Sequence, residues 1–182
     1  MKKVLFLFFV VLVALSVSAQ SDKFSVGTNV ISGGIGVGSS IASGYTYGSE
    51  NLGLNLQYER GLWEAGPGVI SLGGYLGHKS YVYNDPADSY SLKWSYTIIG
   101  VRGAWHYTGL DIPNLDLYGG LMISYDALSF SDNQGTYSSN YGSTTELSVF
   151  AGARYYFTPH LAGYGELGVG VSILSLGLAV RF

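Results

Sequence analysis

Leu174-Ser175-Leu176-Gly177-Leu178-Ala179-Val180-Arg181-Phe182 decides the fold. Leu174, Leu176, Leu178, Val180 and Phe182 share one parity, while Ser175, Gly177, Ala179 and Arg181 share the other. Successive side chains of a strand point to opposite faces, so this is a strand with one apolar face and one small or polar face. A helix would scatter the same leucines around its circumference. The alternation returns upstream, with Leu52 to Tyr58 against Gly53 to Glu59, and Ile70, Leu72 and Leu76 against Ser71, Gly73 and Tyr75. Ile99, Val101, Trp105 and Tyr107 oppose Gly100, Arg102, Ala104 and His106; Leu115, Leu117, Leu121 and Ile123 oppose Asp116, Tyr118, Gly120 and Ser124. Leu147 to Phe157 alternate with Glu146 to Tyr156, and Leu161, Leu167 and Val169 oppose Tyr164 and Glu166. A less regular first strand, about Ser25 to Ser39, is expected to carry a bulge at Val30-Ile31, where two apolar residues are adjacent. Eight strands result, an even number that closes an up-and-down barrel with both termini on one side.

Composition says what surrounds the barrel. Only 12% of the 182 residues are charged, against about 25% in soluble domains, and 27 are glycine. After the N-terminus no apolar run approaches the roughly 20 residues of a membrane helix, and only helices and closed barrels satisfy every backbone group inside lipid. The net charge of −3 gives no sign of a nucleic-acid partner, and the lack of cysteine excludes disulfides and thiolate metal sites. Lys2 and Lys3, an apolar run from Val4 to Val17 and the small residues Val17-Ser18-Ala19 read as a signal peptide over 1–19, cut after Ala19. The barrel domain is then 20–182, with a net charge near −5.

The nature of the polar face places it inside. It is made of Gly, Ser, Asn, Tyr and a few acids and arginines, with almost no Lys, which suits the filled interior of an eight-stranded barrel. Outward aromatics gather at strand ends: Tyr58, Trp105, Tyr107, Tyr155, Phe157 and Phe182 near short turns, Tyr125 near longer connections. That is the girdle of a membrane barrel. The short turns are Arg60 to Pro67, Thr108 to Asn114 and Thr158 to His160; Ser39 to Glu50, Lys79 to Lys93 and Ser129 to Thr145 read as longer outer loops. The reading is all-β, an eight-stranded antiparallel up-and-down transmembrane β-barrel.

On these features the mature chain resembles the small outer-membrane barrels of the OmpA and OmpX type. Its most specific element is the terminal strand, Leu176, Leu178, Val180 and Phe182, which looks like the signal read by the barrel-assembly machinery. The resemblance implies a bacterial outer-membrane location, that machinery as a transient partner, and outer-membrane lipid and lipopolysaccharide as surroundings. No soluble peptidoglycan-binding domain of the kind some members carry is expected after Phe182.

Inside, Glu59, Arg102, Asp116, Glu146, Arg154, Glu166 and Arg181 are expected to form an ion-pair network, since desolvation costs several kcal/mol per unpaired ion. Such a plug leaves no open pore. Gly33-Gly34-Ile35-Gly36-Val37-Gly38 lacks the βαβ context of a nucleotide loop and reads as strand glycines. His106 and His160 have no metal-ligand spacing, and no cofactor is implied. The primary reading is non-enzymatic, structural or ligand-binding through the outer loops, of which Ser129 to Thr145 is rich in Ser, Tyr, Asn and Gly. A second reading is a small accessory subunit of a larger outer-membrane complex. A third is a lipid A-modifying enzyme, because His78-Lys79-Ser80 resembles the His-x-Ser pair of lipid A deacylases of this fold.

Overall fold

A computed structural model describes residues 23–38, 49–50, 52–84, 91–110, 112–132, 138–168 and 172–182. The leader predicted over 1–19 and the centres of the predicted outer loops lie outside these residues. The strands are β1 (Asn29–Val37), β2 (Ser49–Glu50), β3 (Gly53–Glu64), β4 (Gly68–Asn84), β5 (Ser91–Tyr107), β6 (Leu115–Asp132), β7 (Ser138–Tyr156), β8 (Leu161–Gly168) and β9 (Leu174–Arg181). Every pairing is antiparallel and between neighbours around a ring, with β4 on β5 and β1 on β9 completing the circle. The two-residue β2 pairs with β4 ahead of β3 and in line with it, so the wall has eight staves.

The stagger follows from the registers. Tyr155 pairs with Gly163, and the row continues through Leu178, Gly33, Leu56, Leu76, Ile99 and Tyr125 to Thr145, ten residues from its start on β7. A row that climbs as it circles means strands tilted by roughly 35–45°. The whole row points outward. The wall is apolar, with Val101 67%, Ile123 60% and Leu147 69% exposed to the surroundings. Leucines and valines left bare on every side of a closed barrel are a lipid-facing surface, not a water-facing one. Outward Tyr58, Trp105, Tyr155 and Phe157 ring the end that carries the start of β1, the end of β9 and the turns after β3, β5 and β7, and Tyr125 stands toward the other end. We refer to the first as the inner end and the second as the outer end.

Three sequence expectations need correction. No bulge interrupts β1: Val30 and Ile31 sit on opposite faces, Val30 fully buried in the barrel and Ile31 outward, because the interior accepts an aliphatic side chain there. The register shifts fall instead between Gly61 and Trp63 and between Ala127 and Ser129. The first strand begins at Asn29, and the residues before it have another task, described below. Finally, much of the predicted loops Lys79 to Lys93 and Ser129 to Thr145 is strand: β4 runs to Asn84, β5 starts at Ser91, β6 runs to Asp132 and β7 starts at Ser138. Above the lipid the backbone keeps pairing although the outward side chains no longer need to be apolar.

Within the barrel, buried apolar side chains form two groups. Phe24, Val30, Val69, Tyr156, Ala162, Tyr164 and Ala179 fill the inner end. Tyr75, Ile98, Ala104, Tyr118, Met122 and Phe150 form the other. Buried charges lie among them.

Candidate functional site

Strand parity aims the charges inward, and the barrel's width lets them meet. Arg102 on β5 reaches across to Glu166 on β8 with two parallel bonds, Nη2 to Oε2 at 2.7 Å and Nη1 to Oε1 at 3.2 Å. Such a bidentate pair fixes both side chains. Tyr118 donates its hydroxyl to the same carboxylate at 3.1 Å, and the Gln57 amide donates to it at 3.4 Å. The Arg102 guanidinium lies over the Phe150 ring at 3.8 Å.

A second cluster lies toward the inner end. Arg154 on β7 pairs with Glu59 on β3, on the opposite side of the ring, and with Asp116 Oδ2 at 3.0 Å. Asp116 Oδ1 holds His106 Nδ1 at 2.8 Å, and the other imidazole nitrogen meets Ser71 Oγ at 3.0 Å and Glu59 Oε2 at 3.7 Å. Tyr118 joins the clusters, since its ring lies under the Arg154 guanidinium at 4.3 Å while its hydroxyl binds Glu166. The charged side chains here are nearly inaccessible, so each partner offsets a desolvation cost that would otherwise stand alone.

The residues ahead of β1 close the inner mouth. Thr28 N–H bonds back to Ser25 O, and Gly27, with φ of 90°, lets the chain turn. The turn sends Phe24 into the barrel, where its ring stacks on His106 at 3.6 Å and an 8° interplanar angle. Gly61 receives this segment: Gly27 N–H donates to Gly61 O, Gly61 N–H donates to Thr28 O, and a Cβ on Gly61 would overlap Ser25 O. Lys23 Nζ donates to Thr108 O, which follows β5.

Of the seven predicted interior residues, the structure brings Glu59, Arg102, Asp116, Arg154 and Glu166 together. Arg181 is buried but turned elsewhere: its guanidinium donates to Pro159 O, at 3.0 Å from Nε and 2.7 Å from Nη2, and lies over Tyr156. Glu146 is half-buried opposite Ser124 and takes no ion pair among the described residues. It stands too near the outer end to need one. His106 joins the inner-end cluster as a member that the sequence pattern marks only by its parity with Arg102. Leu176 and Leu178 of the terminal strand face outward, and Phe182 exchanges two backbone hydrogen bonds with Asn29, at 2.9 and 3.0 Å.

The remaining candidates lie outside these clusters. His78 faces outward and its Nδ1 bonds Thr97 Oγ1 at 3.1 Å; Asp85 and Asp88, the acids nearest the His78–Ser80 pair in sequence, lie outside the described residues. Among the described residues no three His, Asp or Glu are placed to hold a metal. The Gly33 to Gly38 run lies in β1 and its end, as strand glycines. The arrangement of the described interior is a brace: opposite charges and hydrogen bonds cross the barrel.

No family profile matches the chain, and no curated protein does. Solved structures do. The attachment invasion locus protein Ail of Yersinia pestis, in complex with the heparin analogue sucrose octasulfate, superposes with a TM-score of 0.59 at 19% identity over 87% of this chain and 100% of that one. Ail in a phospholipid bilayer nanodisc gives 0.51 at 20% identity over 86% and 99%. A designed transmembrane β-barrel gives 0.52 at 17% identity over 87% and 98%. The chain is an eight-stranded antiparallel transmembrane β-barrel, with the fold of the small outer-membrane barrels.

Proposed function

We propose that the chain is a non-enzymatic barrel of the bacterial outer membrane that binds a partner through the part of β4–β7 standing above the lipid. The observation that carries this reading is strand length. A tilted strand crosses a bilayer in about 9–11 residues, whereas β4 and β5 have 17, β6 has 18 and β7 has 19. The surplus is paired sheet, and a rigid sheet outside the membrane is a surface for recognition rather than a tether.

Two features bear on the partner. Beyond Phe150, where its register with β8 ends, the outer stretch of β7 is bonded to β6 alone among the described strands. From Ser138 to Val149 it carries no Lys or Pro, the residues that usually guard an open edge, so an extended segment of a partner can add there as a strand. The charge of the outer part also differs from what a polyanion needs. In sequence the stretches 39–50, 79–93 and 126–146 hold six acids against two lysines, and one of these, Lys79, is buried with its Nζ on Gly38 O. The sulfated ligand seen with Ail is therefore not the ligand proposed here.

The test compares the full chain with a variant whose residues 130–142 are replaced by a two-residue turn, both folded in nanodiscs. The panel is surface polysaccharide, extracellular matrix proteins and purified outer-membrane proteins, with sucrose octasulfate as a negative probe. Saturable binding lost in the shortened variant is expected. Equal binding by both, or saturable binding of sucrose octasulfate, would overturn the reading.

A further inference from the structure

Seven of the eight junctions in the wall join strands that follow one another in the chain. The eighth, β9 on β1, brings together residues separated by about the whole barrel, so no hairpin holds it. Closing so long a loop is the step with the largest entropic cost in the fold. The inward side of this seam is also the barest: Ser32, Gly34 and Gly36 on β1 lie opposite Ala179, Gly177 and Ser175 on β9. These small residues leave a trough across the junction.

Ser172 takes the space over Gly36, and one long side chain covers the middle of the trough. Tyr164, buried on β8, lies across Gly177 of β9 and Gly34 of β1 and donates its hydroxyl to Asn55 Oδ1 on β3 at 2.6 Å. A methyl group on Gly34 would overlap the Tyr164 hydroxyl, and one on Gly177 would sit 2.7 Å from Cε1 of the same ring. Each would also press on the backbone of the other seam strand, so both glycines admit the ring and let β1 and β9 approach. A single residue of β8 thus touches the next three staves, β9 on its own side and β1 and β3 beyond the only junction without a hairpin.

We propose that Tyr164 is the latch of the β9–β1 seam: its seating on Gly177 and Gly34, with its bond to Asn55, holds the barrel shut where the chain's two ends meet. Elsewhere the same Tyr-on-Gly contact joins strands that a hairpin already connects. Tyr118 on Gly152, between β6 and β7, is such a case; its hydroxyl bonds Glu166 on β8 without crossing the seam, so it serves as the control.

Hydrogen exchange of the mature chain folded in nanodiscs tests the proposal residue by residue. In Tyr164→Phe, which keeps the ring and loses the bond to Asn55, exchange at the Ile35 and Leu176 amides is expected to rise about tenfold. Exchange at the β5–β6 amides of Val101 and Ile123 is expected to stay within about twofold. Asn55→Leu should reproduce this pattern, and Tyr118→Phe should leave the Ile35 and Leu176 amides unchanged. Equal acceleration at the seam and at β5–β6 would reduce Tyr164 to general core packing and overturn the proposal. So would an unchanged seam in both Tyr164→Phe and Asn55→Leu. Tyr164→Ala sharpens the outcome where it folds, and the two milder variants decide it where it does not.

Discussion

The wall has a tall half and a low half. β4–β7 run 17 to 19 residues and are tied by hairpins, while β8 and β9 have 8 residues each, β1 has 9, and the seam falls among them. The tall half keeps its order above the membrane through backbone pairing, with side-chain contacts such as Tyr81 on Tyr96 added to it. The low half hardly rises beyond the lipid and relies on what lies inside it: Tyr164 across the seam, and the guanidinium groups of Arg102 and Arg154, which run from the tall half to Glu166 and Glu59 in the low half. The difference separates two sources of order in one barrel, the ladder and the crossbar.

Removing a crossbar is the strongest way to break the comparison. Arg154→Ala leaves Glu59 and Asp116 buried without their shared cation and should lower stability by about 3–5 kcal/mol, read as urea unfolding in phospholipid vesicles. A loss under about 1 kcal/mol would mean that the low half does not depend on the brace. Next comes the lipid band. Val101 lies midway between outward Trp105, at the inner girdle, and Thr97, which is bonded to His78 near the outer boundary. Val101→Arg should cost roughly 2–4 kcal/mol and Thr97→Arg roughly 0–1 kcal/mol in the same assay. Equal costs would misplace the band. The smallest effect belongs to Glu146→Gln, which touches no ion pair among the described residues and should change stability by less than about 0.5 kcal/mol. A loss of several kcal/mol there would restore Glu146 to the network.

What was legible in the chain follows from the same division. Inside the membrane the lipid imposes an apolar residue at every second position, so parity alone placed Leu176, Val101 and Ile123 outward and Arg102, Asp116 and Glu166 inward. Above the membrane that rule lapses, and Ser129 to Thr145 read as loop although most of the described part of it is paired. Partners were harder than faces. His106 showed its parity, but its place between Asp116 and Ser71 depends on the registers of three strands, which no single stretch encodes. Arg181 donates to a carbonyl of a turn, and a backbone acceptor leaves no mark in the sequence. Phe24, one aromatic ahead of the first strand, belongs to no repeating pattern at all.

That stopper has a practical consequence. Because Phe24 is wedged against an imidazole and the neighbouring backbone is threaded past Gly61, anything fused just ahead of Lys23 would pull on the cork of the vessel. Labels and affinity handles belong at the far rim, where the ribbon tops stand clear of the bottle they crown.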